Sequence, residues 1–166
     1  MLNALFMEMI SYYEGDARRI QHFVKVHSFA KLIGEMEHVD EETLKVLDAA
    51  AYVHDIGIKP AEQKYGNCNG KLQEQEGPAI AKEMLERLGF EKCITDRVCY
   101  LVGHHHTYTN IDGIDYQILV EADFLVNLYE DNSSKETAAS VCEKLFKTRT
   151  AKNICRMMFA FSGTYD

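Results

Sequence analysis

The sequence predicts an all-α protein, a compact bundle of roughly seven to eight helices. Apolar residues recur at three- and four-residue steps along most of the chain, and no segment shows the two-residue alternation of a half-buried strand. Only 2 prolines and 10 glycines interrupt the 166 residues, which leaves few places for the turns of a β architecture. The length suits one core, so we assign residues 1–166 to a single domain.

Three helices are predicted in the first third of the chain. Residues 2–13 carry an amphipathic helical pattern. Asp16 suits the N-cap of a second helix that runs to about Glu37. Asp40 opens a third helix with acidic residues in its first turn, where the helix dipole favours them, and this helix stops at Gly57.

Residues 58–77 lack a helical period and contain a proline, three glycines and two asparagines. We therefore predict an irregular loop, and a loop of this length in a small domain usually has a functional task. Pro78 suits the first position of the next helix, which ends at Gly89. Further helices are expected from Thr95 to a histidine cluster, over residues 115–130, from a capping box at Ser133 to about Lys147, and over residues 150–161.

The charge balance limits the class of partner. The net charge is −8, and no run of lysine and arginine reaches four residues. Such a field repels nucleic acids, so we exclude DNA and RNA as partners. An anionic small molecule would need a local positive centre, which a metal ion can supply.

The amino-terminal segment and the cysteines indicate the cellular compartment. The amino-terminal segment has no basic residue before its apolar stretch and carries Glu8 inside it, which argues against a signal peptide and a membrane span. The 5 cysteines are odd in number and never form a CxxC pair. We therefore expect free thiols and a cytoplasmic protein.

The pair His54-Asp55 ends the third predicted helix. Both side chains can reach one point beyond the helix end if the chain turns away at Gly57. An imidazole nitrogen and a carboxylate oxygen together suit a divalent first-row metal. In an isolated pair of this kind, the histidine more often caps helix carbonyls and the aspartate is an ordinary surface charge. Whether His54-Asp55 binds a metal therefore depends on which other ligands the chain supplies.

Asp123 lies among apolar residues of the helix predicted over residues 115–130. A buried carboxylate is costly unless it is paired, protonated or bound to a metal, and this helix contains no Lys, Arg or His. Either the side chain turns outward or accepts hydrogen bonds from a helix end, or its partner comes from elsewhere in the fold.

The other histidines are less distinctive. His27 lies on the apolar side of the second helix, where a lone histidine is more often a core residue than a ligand, and His22 is assigned to solvent. The alanines at 49–51 permit a close helix approach that would bring His27 near His54. The three histidines at 104–106 end a helix, and capping needs fewer than three, so we expect at least one to be functional.

The order His27, His54-Asp55, Asp123 resembles the HD domain superfamily of metal-dependent phosphohydrolases. The strings KVHSFAKLI, AAYVHDIGI and LVEADFLVN carry the resemblance, which covers about residues 20–130. The resemblance implies an all-α fold and hydrolysis of a phosphate ester or anhydride, often in a nucleotide. It also implies a divalent metal (Fe, Mn, Zn, Co, Ni or Mg) held by His27, His54, Asp55 and Asp123.

By this resemblance Asp55 would bind the metal and orient a water molecule, and we assign His104 and Lys59 to catalysis with it. Lys59, Lys64 and Lys71 are candidates to hold the phosphate charge. These three lysines are explained equally well as solvated charges of the loop, without a role in substrate binding.

One departure from the family pattern concerns a second metal. Many two-metal relatives carry another histidine before the later cluster, and this chain has none between His54 and His104. Glu74 and Glu76 stand in that stretch. Either the site holds one metal, or a glutamate joins His104 and His105 in a second site, although acids in the first turn of a helix are the simpler explanation. The Gly-Tyr-Pro motif of cyclic-di-GMP phosphodiesterases is absent, which argues against that substrate.

Two other functions stay open. A di-iron oxygenase of the same fold would need two irons, which the missing histidine disfavours. A non-catalytic, metal-containing module that senses a nucleotide would bind metal without turnover. The expected partner is a small phosphorylated substrate such as a nucleotide, without nucleic acid or membrane, and a homodimer stays open.

Overall fold

The computed structural model describes residues 1–162 and confirms the all-α fold class. The last four residues of the domain assigned to 1–166 lie outside the described part. Between residues 1 and 162 the chain forms helices and no strand. The helices are α1 (Leu2–Tyr12), α2 (Ala17–Met36), α3 (Glu41–Val53), α4 (Ile58–Tyr65), α5 (Gly70–Arg87), α6 (Lys92–Val102), α7 (Ile114–Glu130), α8 (Lys135–Leu145) and α9 (Arg149–Phe159). Within the described range, no helix is both long and apolar enough to cross a membrane.

Side chains cap several helices at the starts that the sequence indicated. Asp16 and Asp40 each accept a hydrogen bond from the backbone N–H three residues further on, at the starts of α2 and α3. Ser134, one residue after the serine predicted to open the capping box, does the same at the start of α8. Such a cap typically contributes about 1 kcal/mol of stability.

The irregular loop predicted over residues 58–77 is wrong, because α4 and the first turns of α5 occupy most of it. Pro60 lies in the first turn of α4, where the backbone N–H it lacks would have no helical partner. Gly66 then ends α4 with a φ of 70°, and Asn69 caps α5. Pro78 lies inside α5 rather than at its first position.

The carboxyl end of α3 lies in the middle of the bundle. α3 contacts α1, α2, α6 and α7, and Ala49, Ala50 and Ala51 within it are fully buried. Small side chains at these positions let neighbouring helices approach closely, but the histidine of α2 that lies near His54 is His22 and not His27. The turn after α3, which carries His54 and Asp55, is therefore surrounded by other helices.

Candidate metal centre

His54 and Asp55 lie in the turn that follows α3. His54 is fully buried, and its Nδ1 lies 3.0 Å from the carbonyl oxygen of Ala51. Because a carbonyl only accepts, Nδ1 carries a hydrogen, and in the neutral ring Nε2 presents a lone pair. The prediction that this pair lies at a helix end is confirmed.

Two tyrosines from the end of α1 hold the same turn. The hydroxyl of Tyr12 donates to the carbonyl oxygen of Ile56 at 3.1 Å, and the hydroxyl of Tyr13 donates to that of Asp55 at 2.7 Å. The carbonyls of a non-helical turn need such partners when they are buried. The orientation of Asp55 therefore depends on α1.

Two further donor atoms come from α2 and α7. Nε2 of His22 lies 3.3 Å from Nε2 of His54, and Oδ1 of Asp123 lies 3.2 Å from the first and 3.6 Å from the second. Oδ2 of Asp55 lies 3.4 Å from both imidazole nitrogens. These are the separations expected of atoms that each bind one divalent ion at about 2.0–2.2 Å.

The hydrogen-bond partners of the two imidazoles indicate that these residues fit a cation. Nδ1 of His22 faces the Glu130 carboxylate at 3.2 Å, so in the neutral form of both histidines the Nε2 atom carries the lone pair. Four electron-rich atoms thus face one another in a buried site, which is costly unless a cation or an added proton lies among them. Two imidazoles and two carboxylates form a donor set suited to a first-row divalent metal.

The charges that would attract a cation also attract protons. Burial lowers the pKa of His54, but the Asp55 charge and the hydrogen bond to Asp123 outweigh it and raise the pKa to about 9. Burial opposes ionisation of Asp55 and Asp123, yet the neighbouring imidazoles hold the pKa of both carboxyls below their usual range. Both aspartates are therefore ionised at neutral pH.

The structure does not bring His27 to this cluster. Its Nε2 lies 2.9 Å from Oδ1 of Asp48, and its ring stacks on Tyr52 with centroids 4.1 Å apart. The assignment of His22 to solvent is wrong, because this residue is 7% exposed and occupies the position given to His27. Five residues rotate the helix direction by about 140°, so only one of the two histidines can face the site.

His105 approaches the cluster from the turn after α6. Its Nε2 lies 3.4 Å from Oδ1 of Asp55 and is buried with no hydrogen-bond partner among the described residues. Its Nδ1 faces the carbonyl oxygen of Val102 at 2.9 Å, so in the neutral ring Nε2 presents a lone pair to a carboxylate. Asp55, His105 and His106 form a second group of donors within 4.8 Å of one another.

His104 and Glu74, offered by the sequence for a second site, are engaged elsewhere. The His104 ring stacks on Tyr100, and its Nδ1 faces the carbonyl oxygen of that residue at 2.7 Å. Glu74 accepts hydrogen bonds from the backbone N–H of His106 at 3.0 Å and the hydroxyl of Thr107 at 2.9 Å. Glu74 therefore ties α5 to the histidine turn.

Two of the three lysines assigned to the phosphate are also engaged elsewhere. Lys59 donates to the carbonyl oxygen of Tyr12 at 2.8 Å, and Lys64 pairs with Glu76, the other glutamate offered for a second site. Lys71 is exposed on the first turn of α5. Lys59 and Lys64 are thus used to hold α4 to its neighbours.

A cavity of about 290 Å³ opens beside the donor atoms and exposes part of them. Its lining includes three of the four converging residues and two arginines at the start of α2. The lining residues are Asp16, Arg18, Arg19, His22, Asp55, Ile58, Gln73, His106, Asp123, Asn127 and Glu130.

The sequence did not single out Arg18 and Arg19. Nη1 and Nη2 of Arg19 pair with Asp16 and Glu62 at 2.9 and 2.6 Å. Arg18 is exposed and makes no ion pair within residues 1–162. Two basic residues in the first turn of a helix resemble ordinary surface charge, so only the fold shows that they flank the cavity.

His106 lines the cavity as an uncharged imidazole. Burial and the charge of His105 lower its pKa to about 4. The Gln73 amide nitrogen donates to the carbonyl of Cys68 at 2.7 Å, so its Oε1 accepts from Nε2–H of His106 at 3.1 Å. Gly70 lies against the ring, where a Cβ atom would stand 2.7 Å from the imidazole.

Comparison with known proteins identifies the family. The HD domain model matches residues 19–154, and the chain belongs to the HD domain family. The crystal structure of a predicted HD superfamily hydrolase from an uncultured Thermotogales bacterium is similar, with 27% sequence identity and a TM-score of 0.65 over 96% of this chain and 83% of that chain. No curated protein matches the chain significantly. The resemblance inferred from the sequence is confirmed, and the findings support a hydrolase of the metal-dependent class.

Proposed function

We propose that the protein is a metal-dependent phosphohydrolase that acts on a small phosphate ester or anhydride, with nucleotides as the expected substrate class. One observation carries the proposal. Nε2 of His22 and Nε2 of His54 lie 3.3 Å apart, and one carboxylate oxygen each of Asp55 and Asp123 lies 3.2–3.6 Å from both, beside a cavity that Arg18 also lines. Membership of the HD domain family supports the hydrolase class.

His22, His54, Asp55 and Asp123 would hold the metal. A divalent cation in such a site lowers the pKa of a water molecule to about 7 and polarises a phosphoryl oxygen. Asp55 has one oxygen among the imidazoles and the other 3.4 Å from His105. It would therefore bind the metal through one oxygen and orient water through the other.

The substrate contacts come from α2 rather than from the lysines. The guanidinium of Arg18 suits a phosphate because its planar fork can donate two parallel hydrogen bonds. Arg19 is already neutralised by its two carboxylate partners, so Arg18 provides the available positive charge. The cavity volume of about 290 Å³ lies at the lower end of small-molecule pockets, which favours a mononucleotide or a smaller ester.

The proposal is tested by elemental analysis of the purified protein and by phosphate release. The substrates are nucleoside mono-, di- and triphosphates and simple esters, each with Mn, Fe, Co, Ni, Zn and Mg. Asp55→Asn retains the shape of the side chain and should abolish turnover. Asp48→Asn removes an aspartate that pairs with His27 outside the site and is the matched control. Full turnover in Asp55→Asn would contradict the proposal.

The same experiment separates the alternatives. Consumption of dioxygen with Fe(II), without release of phosphate, would indicate a di-iron oxygenase. The donor group of Asp55, His105 and His106 is the feature that would hold a second iron, but Nε2 of His106 is engaged by Gln73. Metal binding with neither activity would indicate a binding module.

A further inference from the structure

His22 differs from the other converging histidine in what its outer ring nitrogen contacts. Nδ1 of His54 faces a backbone carbonyl, that of Ala51, at 3.0 Å. Nδ1 of His22 faces a carboxylate oxygen, Oε2 of Glu130, at 3.2 Å. Glu130 is the last residue of α7, the helix that also supplies Asp123. The two imidazoles therefore have unequal electronic surroundings.

The Glu130 carboxylate is held in place from its other side. Nζ of Lys25 donates to Oε1 of Glu130 at 2.6 Å, and the Glu130 side chain is 12% exposed. Lys25 lies three residues after His22 on α2, so both follow one face of that helix. The Lys25 ammonium also lies 5.2 Å from the centre of the Tyr129 ring. This carboxylate is thus a fixed partner and not a freely moving surface group.

We propose that Glu130 is a positioning residue that acts through His22 and sets the affinity of the metal centre. A carboxylate that accepts from Nδ1–H fixes the tautomer with its lone pair on Nε2 and makes that atom a stronger donor. Lys25 balances the charge of Glu130, which lines the cavity where an anionic substrate would bind. The inference rests on the proposed function, because it assumes that the His22 cluster holds a metal.

The test measures Co(II) binding to Glu130→Gln by competition with a chelator. Glutamine retains the shape of the side chain and can accept from Nδ1–H, but it carries no charge. We expect affinity to fall about 10- to 100-fold, as for changes to outer partners of metal ligands elsewhere. We also expect a shift in the visible absorption of bound Co(II), which reports the donor strength of His22 and which a general loss of stability would not produce.

The matched control is Glu35→Gln. Glu35 lies on the same helix as His22, its side chain is 52% exposed, and it pairs only with Lys31 among the described residues. This variant should bind Co(II) with the parent affinity and spectrum. Circular dichroism checks that both variants are folded. If Glu130→Gln does not fold, Glu130→Ala replaces it with the same criteria.

The outcomes separate this inference from the proposed function. Parent-like affinity and spectrum in a folded Glu130 variant would overturn the role of Glu130 while the metal centre stands. A parent protein that binds no Co(II), or a His22→Ala variant that binds it fully, would instead overturn the metal centre itself. A weaker affinity together with a shifted spectrum, confined to the Glu130 variant, supports the inference.

Discussion

The hydroxyl of Tyr13 donates a 2.7 Å hydrogen bond to the backbone carbonyl of Asp55. Tyr13 lies before residue 19, where the match to the HD domain model begins, whereas Asp55 belongs to the pair that defines the motif. The hydroxyl of Tyr12 binds the next carbonyl, that of Ile56. The amino-terminal helix therefore fixes the turn from which one proposed ligand projects.

Tyr13→Phe should weaken both folding and metal binding. Tyr13 is 3% exposed, and its loss removes one of two hydrogen bonds to the Asp55 carbonyl, which also accepts from the backbone N–H of Ile58. We therefore expect a cost of about 0.5–1.5 kcal/mol. Urea unfolding and metal titration measure the two effects. Tyr129→Phe removes a hydroxyl from an exposed ring and should resemble the parent in both measurements. A Tyr13→Phe protein as stable as the parent would show that the turn is held by other contacts.

His22→Ala and His27→Ala should differ sharply in metal content. His22 lies among the converging donors, whereas His27 pairs with Asp48. We expect His22→Ala to lose more affinity than the about 10- to 100-fold typical of an outer partner, and His27→Ala to retain its metal. Elemental analysis after purification gives the answer. The opposite ranking would restore the ligand set implied by the sequence.

Arg18→Met should raise KM far more than Lys64→Met. A charge-assisted hydrogen bond to phosphate contributes about 1.5–3 kcal/mol, which corresponds to an about 10- to 100-fold increase in KM. Lys64 is paired with Glu76 outside the cavity and should leave KM unchanged. Steady-state kinetics on the best substrate of the phosphate-release screen measure both. Equal effects of the two substitutions would count against phosphate binding by Arg18.

The metal-free protein should lose stability as the pH rises from neutral to alkaline. The folded pKa of His54 is about 9, above its usual value of about 6.5, so its contribution is full below pH 6.5 and is lost as the pH rises through about 9. Asp55 and Asp123 have lowered pKa values, so their contributions are present above about pH 4 and are lost in acid.

Urea unfolding of the chelator-treated protein over a pH series measures this dependence. We expect the largest free energy of unfolding at about pH 5–6, between the two sets of groups. His54→Gln should flatten the decline between pH 6.5 and 9. A decline of the same size in that variant would assign it to other groups.

The sequence predicted the helical class and most helix starts because caps and apolar periodicity are local signals. Asp16 and Asp40 act through backbone groups three residues away, so their neighbours in the chain contain the necessary information. α4 was missed because its eight residues include Pro60 and end in glycine-rich turns. A short helix whose stability comes from packing leaves little local pattern.

The different roles of the two buried acids of α7 could not be predicted from their local sequence. Glu121 and Asp123 are two residues apart and are 0% and 4% exposed. Asp123 faces the histidines, whereas Glu121 accepts hydrogen bonds from the backbone N–H and hydroxyl of Thr148 at the start of α9. The apolar surroundings singled out Asp123 as a carboxylate in need of a partner, and the resemblance to a known motif assigned that partner as a metal. The apolar surroundings of the two acids alone would not have distinguished a ligand from a cap.

The choice between His22 and His27 was decided by rotation of α2. Both lie on a helix whose buried side is broad, and the chain between them is apolar on more than one face. Which histidine reaches His54 depends on how α2 packs on α3, a contact between segments distant in sequence. The same packing places Arg18 beside the cavity. Because this placement is not visible in the sequence, the lysines of the predicted loop were the candidates for phosphate binding.

Three glycines determine how the pocket can change in laboratory evolution. A Cβ atom at Gly57 would lie 2.4 Å from the backbone oxygen of Gln73, and Cβ atoms at Gly70 and Gly77 would lie 2.7 and 2.6 Å from the side chains of His106 and Val102. α5 therefore packs closely against its neighbours at these glycines, with no intervening side chain that could change its rotamer to accommodate a shift. Mutations that displace this helix would disturb the histidine turn as well. New substrate preferences should therefore arise from substitutions of side chains that line the cavity, while the position of α5 stays constant.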